Sequence, residues 1–137
     1  MGKKWYTTTS IYKRIEGGYY YKRTSMHRMI MGLESGDKRE VDHINGDGLD
    51  NRKENLRICT KAQNAWNQGP RSGKKYRTGY KGITFDKSKN RWMALIQKNR
   101  KNYYIGSYQN PCEAALAYNK KATELFGEYA YLNKVSI

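Results

Sequence analysis

The stretch VDHINGDGLDNRKENLRICTKAQN, Val41 to Asn64, sets His43 beside Asp42 and then strews glycines, aspartates and asparagines downstream. Read as a strand, VDHI points Asp42 and His43 to opposite faces, so both serve one site only where the strand bends or ends. The NGDG that follows supplies such an ending. NLRIC alternates, with Leu56 and Ile58 on one face, and reads as a second strand beginning at Asn55. TKAQNAWN opens a helix: Thr60 and Gln63 have the spacing of a capping box, which puts Asn64 in the first turn. The motif therefore runs strand, loop, strand, helix.

Those residue types suit the hydrolysis of a phosphodiester, which needs an activated water, a counter-charge for the phosphate and stabilisation of the leaving oxygen. One divalent ion supplies the last two. A general base supplies the first, and a histidine with an unperturbed pKa of about 6.5 is largely neutral at pH 7. His43 is one of only two histidines in the chain. Asp42 offers a hard oxygen for Mg²⁺ and Asn64 an amide carbonyl, leaving octahedral positions for water and phosphate. Asn55, facing the first strand, is placed to hold the imidazole. The competing reading is a turn-rich hairpin whose Asx side chains satisfy their own backbone. Asp47, Asp50 and Asn51 are read as turn residues, and His27 as structural.

Charge narrows the partners. The 137 residues carry 27 Lys and Arg against 12 Asp and Glu, a formal +15. At this size such an excess is an electrostatic footprint for a polyanion, nucleic acid before an anionic membrane. Thirteen tyrosines and three tryptophans interleave with the cations. The chain lacks an apolar run long enough to span a bilayer, and MGKKWYTTTS is not a signal peptide. A soluble, unsecreted protein of the cytoplasm, in a bacterial or phage-infected cell, is expected. Cys59 and Cys112 stand apart from any Cys-x-x-Cys, so neither disulfides nor a structural zinc are expected.

NQGPRSGKKYRTG, Asn67 to Gly79, combines Gly, Pro and Ser with a run of cations and reads as a linker. Residues 71–137 hold 14 basic and 4 acidic side chains, against 13 and 8 in residues 1–70, so the second unit is expected to supply most of the phosphate affinity. In the first unit a hairpin turning at Gly17 and Gly18 precedes a short helix in SMHRMIMGL. In the second, GYKGITFD, RWMALIQ and NYYIGSY read as a three-stranded antiparallel meander. A helix follows, capped by Asn110 with Pro111 behind it, Glu113 three after the cap, and ended by Gly127. Its stripe of Ala115, Tyr118, Ala122, Leu125 and Phe126 is expected to cover the sheet face bearing Trp92, Ala94 and Ile96. The opposite face then carries Met93, Leu95 and Gln97.

DHINGDGLDNRKENLRICTKAQN closely resembles the HNH endonuclease family, in the variant with Asn for the last His. His43 to Asn55 spans 12 positions and His43 to Asn64 spans 21, with Asp-His leading and Asn-Leu-Arg between. The resemblance implies a ββα-metal fold with His43 as general base, Asn55 orienting it, and Asp42 with Asn64 on one divalent ion. It also implies 3′-hydroxyl and 5′-phosphate products. Asn64 offers no imidazole nitrogen, which favours Mg²⁺, with Mn²⁺ accepted, over zinc. Arg28, Arg57 and Lys61 are expected phosphate contacts.

Gly79 to Asn133 resembles the APETALA-two (ethylene-response-factor) DNA-binding domain in YKGI, RWMALI, YIGSY, EAALAY and the closing LN. The resemblance implies a sheet that docks in the major groove of double-stranded DNA. Positions matching its contacts are Lys81, Gly82, Thr84, Asp86, Leu95, Gln97, Asn102 and Tyr104. Because Thr84 and Asp86 are not bidentate guanine readers, phosphate contacts from Lys81, Lys87, Lys89, Arg91 and Lys101 are expected to dominate.

The whole reads as an α+β chain: an HNH nuclease unit over 1–68, a basic linker over 69–78 and an APETALA-two-like unit over 79–137. The expected function is a homing-type or phage DNA endonuclease, monomeric unless paired on DNA. A non-cleaving DNA-binding regulator is the alternative, and an RNA-binding protein the third reading.

Overall fold

The computed structural model describes residues 6–70 and 78–136, a mixed α and β structure with three small antiparallel sheets. The interior of the expected linker, 71–77, lies outside the described residues. The chain divides into two units, one ending at Ala65 and the other beginning at Trp66. Among the described residues no helix is long and apolar enough to cross a membrane.

The first unit opens with a hairpin of β1 (Thr8–Ile15) and β2 (Gly18–Ser25). Ile15 pairs with Gly18, so the two-residue turn is Glu16-Gly17, one position earlier than expected, with Gly17 at φ +93°. A positive φ at the second turn position, after Glu16 at ordinary negative φ, is the type II pattern, which favours glycine there. α1 (Met26–Ile30) follows with no intervening loop, and Met26 N–H donates to the Thr7 carbonyl at 2.9 Å, closing the base of the hairpin. β3 (Glu40–His43) pairs with β4 (Leu56–Cys59), and α2 (Lys61–Asn67) follows. Asn55 does not begin β4 but closes a 3-10 turn over Lys53–Asn55. The core here is thin: Leu33, Val41 and Leu56, with Ile30, Met31 and Ile58 packed around them. α2 starts on a reciprocal capping box, Thr60 N–H to Gln63 Oε1 at 2.8 Å and Gln63 N–H to Thr60 Oγ1 at 3.2 Å.

The second unit is a meander of β5 (Ile83–Asp86), β6 (Arg91–Lys98) and β7 (Lys101–Tyr108), crossed by α3 (Pro111–Phe126). Asn110 caps α3 by accepting from Cys112 N–H at 2.8 Å, and Gly127 ends it at φ +55°. Ala94 and Ile96 are buried against Ala114, Ala115, Tyr118, Ala122 and Phe126. A register shift between Ala94 and Leu95 bulges β7, which alternation alone did not foretell. Asn133 latches the returning tail, accepting from Lys81 N–H at 2.7 Å while its own N–H donates to Asn119 Oδ1 at 2.7 Å.

Candidate active site

The β3–β4 register pairs Asp42 with Arg57 and His43 with Leu56, so the adjacent Asp42 and His43 leave the hairpin on opposite faces at its end. Both are buried, at 5% and 6% exposure. The strand stops at His43, whose carbonyl accepts from Gly46 N–H at 2.9 Å as the chain turns away. The expected strand ending after VDHI is therefore present.

On the His43 face, the imidazole Nε2 lies 3.0 Å from Asn51 Oδ1. Asn51 Nδ2 is turned to Met26 Sδ at 3.7 Å, so the amide presents its acceptor to the ring. In the neutral ring that acceptor calls for the proton on Nε2, which leaves the lone pair on Nδ1. The ring also meets His27 edge-on at 5.0 Å between centroids, and Tyr6 at 6.0 Å. His27 is held below its ordinary value, first by burial and then by the charges of His43 and Arg28. Its buried Nδ1 has no hydrogen-bond partner. A neutral, partly desolvated ring beside His43 keeps that wall of the site uncharged.

Asn55, expected to hold the imidazole, has its side-chain hydrogen bonds in the loop. Its Oδ1 accepts from Asn45 N–H at 3.0 Å, its Nδ2 donates to Asn45 Oδ1 and to the Asp50 carbonyl at 2.9 Å each, and its own carbonyl accepts from Ile44 N–H at 2.8 Å. Asn55 clamps the loop that leaves His43, whereas Asn51, read from the sequence as a turn residue, holds the ring itself. A loop asparagine eight positions beyond the histidine carries no periodic signal by which sequence could single it out. Asp50 does act in the turn, accepting both Arg52 N–H groups, which hold its carboxyl well below the usual range.

The Asp42 face gathers oxygen donors. Arg57 Nε and Nη2 both donate to Asp42 Oδ2, at 3.0 and 2.8 Å, in a pair with side chains only 14% and 6% exposed. Arg57, expected from the sequence as a phosphate contact, is here the counter-charge of Asp42. Asn64 Nδ2 donates to Glu40 Oε2 at 2.5 Å, which leaves the Asn64 carbonyl oxygen directed away from Glu40. Cys59, opposite Glu40 in the register, is pushed up to about 11, chiefly by burial and then by the Asp42 and Glu40 carboxylates. Glu40 was not expected at the site; it lies just upstream of the quoted motif.

This donor set suits a hard divalent cation. A buried carboxylate already matched by a cationic partner and an amide carbonyl are oxygen ligands of the Mg²⁺ type. Among the described residues no three His, Cys, Asp or Glu side chains cluster to hold a metal, so an ion here would share its coordination with water or phosphate.

The other expected contacts divide in two. Several are engaged inside the protein: Arg28 donates to the carbonyls of Arg39, Asp37 and Glu34 at 2.7, 2.9 and 3.4 Å, strutting the loop before β3. Lys81 Nζ donates to the carbonyls of Trp66 and Gln68 at 2.8 and 2.6 Å. Gly82, at φ +78°, is fixed by packing, since a Cβ there would lie 2.3 Å from the Tyr118 ring and 2.4 Å from the Leu95 carbonyl. Asp86 accepts from Ser88 N–H and Oγ, which hold its carboxyl low and build the β5–β6 turn. Arg91 grips Ser107 across the sheet. The rest face outward: Thr84, Gln97, Asn102 and Tyr104 are exposed and Leu95 is half-buried on the sheet face away from α3, while Lys61, Lys87, Lys89 and Lys101 are exposed.

A family model of the HNH endonuclease matches residues 25–66, the segment that contains all these first-unit groups except Tyr6. A protein of Acanthamoeba polyphaga mimivirus named as an HNH endonuclease is 35% identical over 136 residues, covering 96% of this chain and 67% of that one. Protein 3.8 of Escherichia phage T7 is 25% identical over 114 residues, 81% of this chain and 92% of its own. No solved structure matches. The buried Asp-His pair at a strand end, the asparagines around it and a relative that aligns with 96% of this chain converge: the chain belongs to the HNH endonuclease family, metal-dependent nucleases.

Proposed function

We propose that this protein is a DNA endonuclease that hydrolyses one phosphodiester at the β3–β4–α2 site, a ββα-metal arrangement, and is targeted by its second unit. The reading is carried by the His43 imidazole, tied through Nε2 to Asn51 at 3.0 Å at the end of the strand that also bears Asp42. With Nε2 occupied, His43 Nδ1 takes the proton from the water that attacks phosphorus. Asn51 keeps the ring in that tautomer and accepts from the imidazolium that forms. Asn55 holds the loop so that the ring stays at the strand end. Asp42 and Asn64 are the residues that would hold Mg²⁺ or Mn²⁺; when bound, the ion neutralises charge on the phosphate and stabilises the leaving oxygen. The products are 3′-hydroxyl and 5′-phosphate ends.

The second unit is read as an APETALA-two-like module. Thr84, Leu95, Gln97, Asn102 and Tyr104 share its outer sheet face, and Lys87, Lys89 and Lys101 stand exposed around it. A sheet of this width fits a major groove. Tethering raises the effective concentration of a weak catalytic site at its target. Relatives from a virus and a phage support a viral or mobile-element setting.

Incubating supercoiled plasmid with the full chain in Mg²⁺ or in EDTA tests this reading. Conversion to nicked or linear DNA in Mg²⁺ alone is expected. DNA binding without conversion under any divalent ion would instead leave a non-cleaving regulator. Replacing Lys87, Lys89 and Lys101 by Gln is expected to weaken binding and reduce its salt dependence.

A further inference from the structure

The β1–β2 hairpin is exposed for most of its length, and among the described side chains it contributes none to either core. A two-stranded ribbon with no covered face is marginal in isolation, and exposed aromatic side chains in it are costly unless something uses them. Tyr12 and Tyr19 are 72% and 75% exposed. The pairings Tyr12 with Tyr21 and Arg14 with Tyr19 put these three rings on one face with the guanidinium of Arg14. Arg23, two residues beyond Tyr21, shares that face. Lys13 and Lys22 lie on the other, together with exposed Tyr20 and Ile15. Glu16 is the single carboxylate between Thr8 and Ser25. Among the described residues none of these four cations has an ion-pair partner.

We propose that this hairpin is a second DNA-contacting element, a two-stranded ribbon that enters the major groove of double-stranded DNA beside the scissile phosphate and sets where the site cuts. The dimensions agree. Eight residues per strand extend about 26 Å, roughly eight base-pair steps, and the major groove, about 12 Å wide, admits such a ribbon. The arginine and tyrosine face suits base edges, because guanidinium bonds bidentately to guanine and tyrosine carries both ring and hydroxyl. The lysines suit phosphates at the groove wall. An acidic or apolar protein partner would not call for arginines and tyrosines interleaved on one face.

The hairpin is also geared to the chemistry. β2 ends at Ser25, α1 begins at Met26, and His27 lies 5.0 Å from the His43 ring. A contact made by the ribbon therefore fixes the backbone phosphate relative to the imidazole without a linker between them. The inference rests on double-stranded DNA being the substrate, as proposed above.

Its test uses the full chain in EDTA, so that binding is read without cutting. Fluorescence anisotropy with a labelled duplex, titrated with KCl, compares the native protein with the variant carrying Lys13→Gln, Arg14→Gln, Lys22→Gln and Arg23→Gln. At about 0.9 per contact, the slope of log affinity on log salt is expected to flatten by about two to four, with affinity at least about tenfold weaker near 100 mM salt. A second variant, Tyr12→Thr with Tyr19→Thr, keeps β-branched strand formers; it is expected to leave the slope unchanged and to scatter the mapped cut positions. Should the four-Gln variant lose its fold by circular dichroism, dimethyl sulfate protection of guanine N7 by the native protein decides. Protected guanines within about eight base pairs of the cut support the ribbon. An unchanged slope in a folded variant, or no protected N7 there, overturns it while leaving the nuclease intact. Failure of the native protein to bind or cut duplex DNA would instead remove the proposed function itself.

Discussion

Asn55→Ala separates a loop clamp from a ring-orienting group. Asn55 is 7% exposed and makes three side-chain hydrogen bonds, to Asn45 N–H, Asn45 Oδ1 and the Asp50 carbonyl. Each is worth about 0.5–1.5 kcal/mol net, and the alanine strands buried partners as well, so a loss of about 1.5–4.5 kcal/mol is expected. In a unit of this size, 1 kcal/mol moves the melting temperature by about 4–8 °C. The transition of the first unit, followed by calorimetry on the full chain in EDTA, should fall by about 6 °C or more. The same drop should appear in a His43→Ala background, with a coupling below about 0.5 kcal/mol, because the bonds lost do not run through the imidazole. A melting temperature unchanged within about 1 °C, alongside a hundredfold loss of cleavage, would refute the clamp and return Asn55 to the ring.

Asn51→Leu removes the acceptor at Nε2 and is expected to slow cleavage by about twofold to thirteenfold, the kinetic equivalent of one hydrogen bond. Burial and neighbouring charge hold His27 below 6.5, so the unfolded chain binds more protons between the two values and stability falls as pH drops below about 6.5. His27→Phe should therefore lose less melting temperature than the native protein between pH 7.5 and pH 5, and equal losses would contradict this. Glu40→Ala frees the Asn64 amide and is expected to weaken Mn²⁺ binding about 10–100-fold by calorimetry, with partial recovery in Glu40→Gln, whose carbonyl still accepts from Asn64.

What was legible in the sequence was local. The Thr60/Gln63 box, the Asn110 cap with Pro111, and the alternation of Ala94 and Ile96 in β6 are written in spacings of two to four residues. The ending of β3 at His43 was legible in the NGDG that follows. Groups whose partners lie across the fold were not. Arg28 reaches carbonyls six to eleven residues away, and Lys81 reaches back to Trp66 and Gln68, so both looked like free cations. Gly82 matched a contact position of the resembled DNA-binding domain, and nothing local showed that the Tyr118 ring occupies the place of its Cβ. The hairpin turn slipped by one residue because Gly17 and Gly18 both tolerate positive φ, and the Ile15–Gly18 pairing alone decides between them.

The most direct measurement is single-turnover cleavage of a duplex by His43→Ala in Mg²⁺, with binding measured in parallel in EDTA. Binding should match the native protein within about twofold, while the cleavage rate falls by at least about 10²-fold, the usual contribution of a positioned general base. Cleavage at the native rate by a variant that binds DNA normally would show that the water is activated elsewhere and remove the imidazole from the reaction.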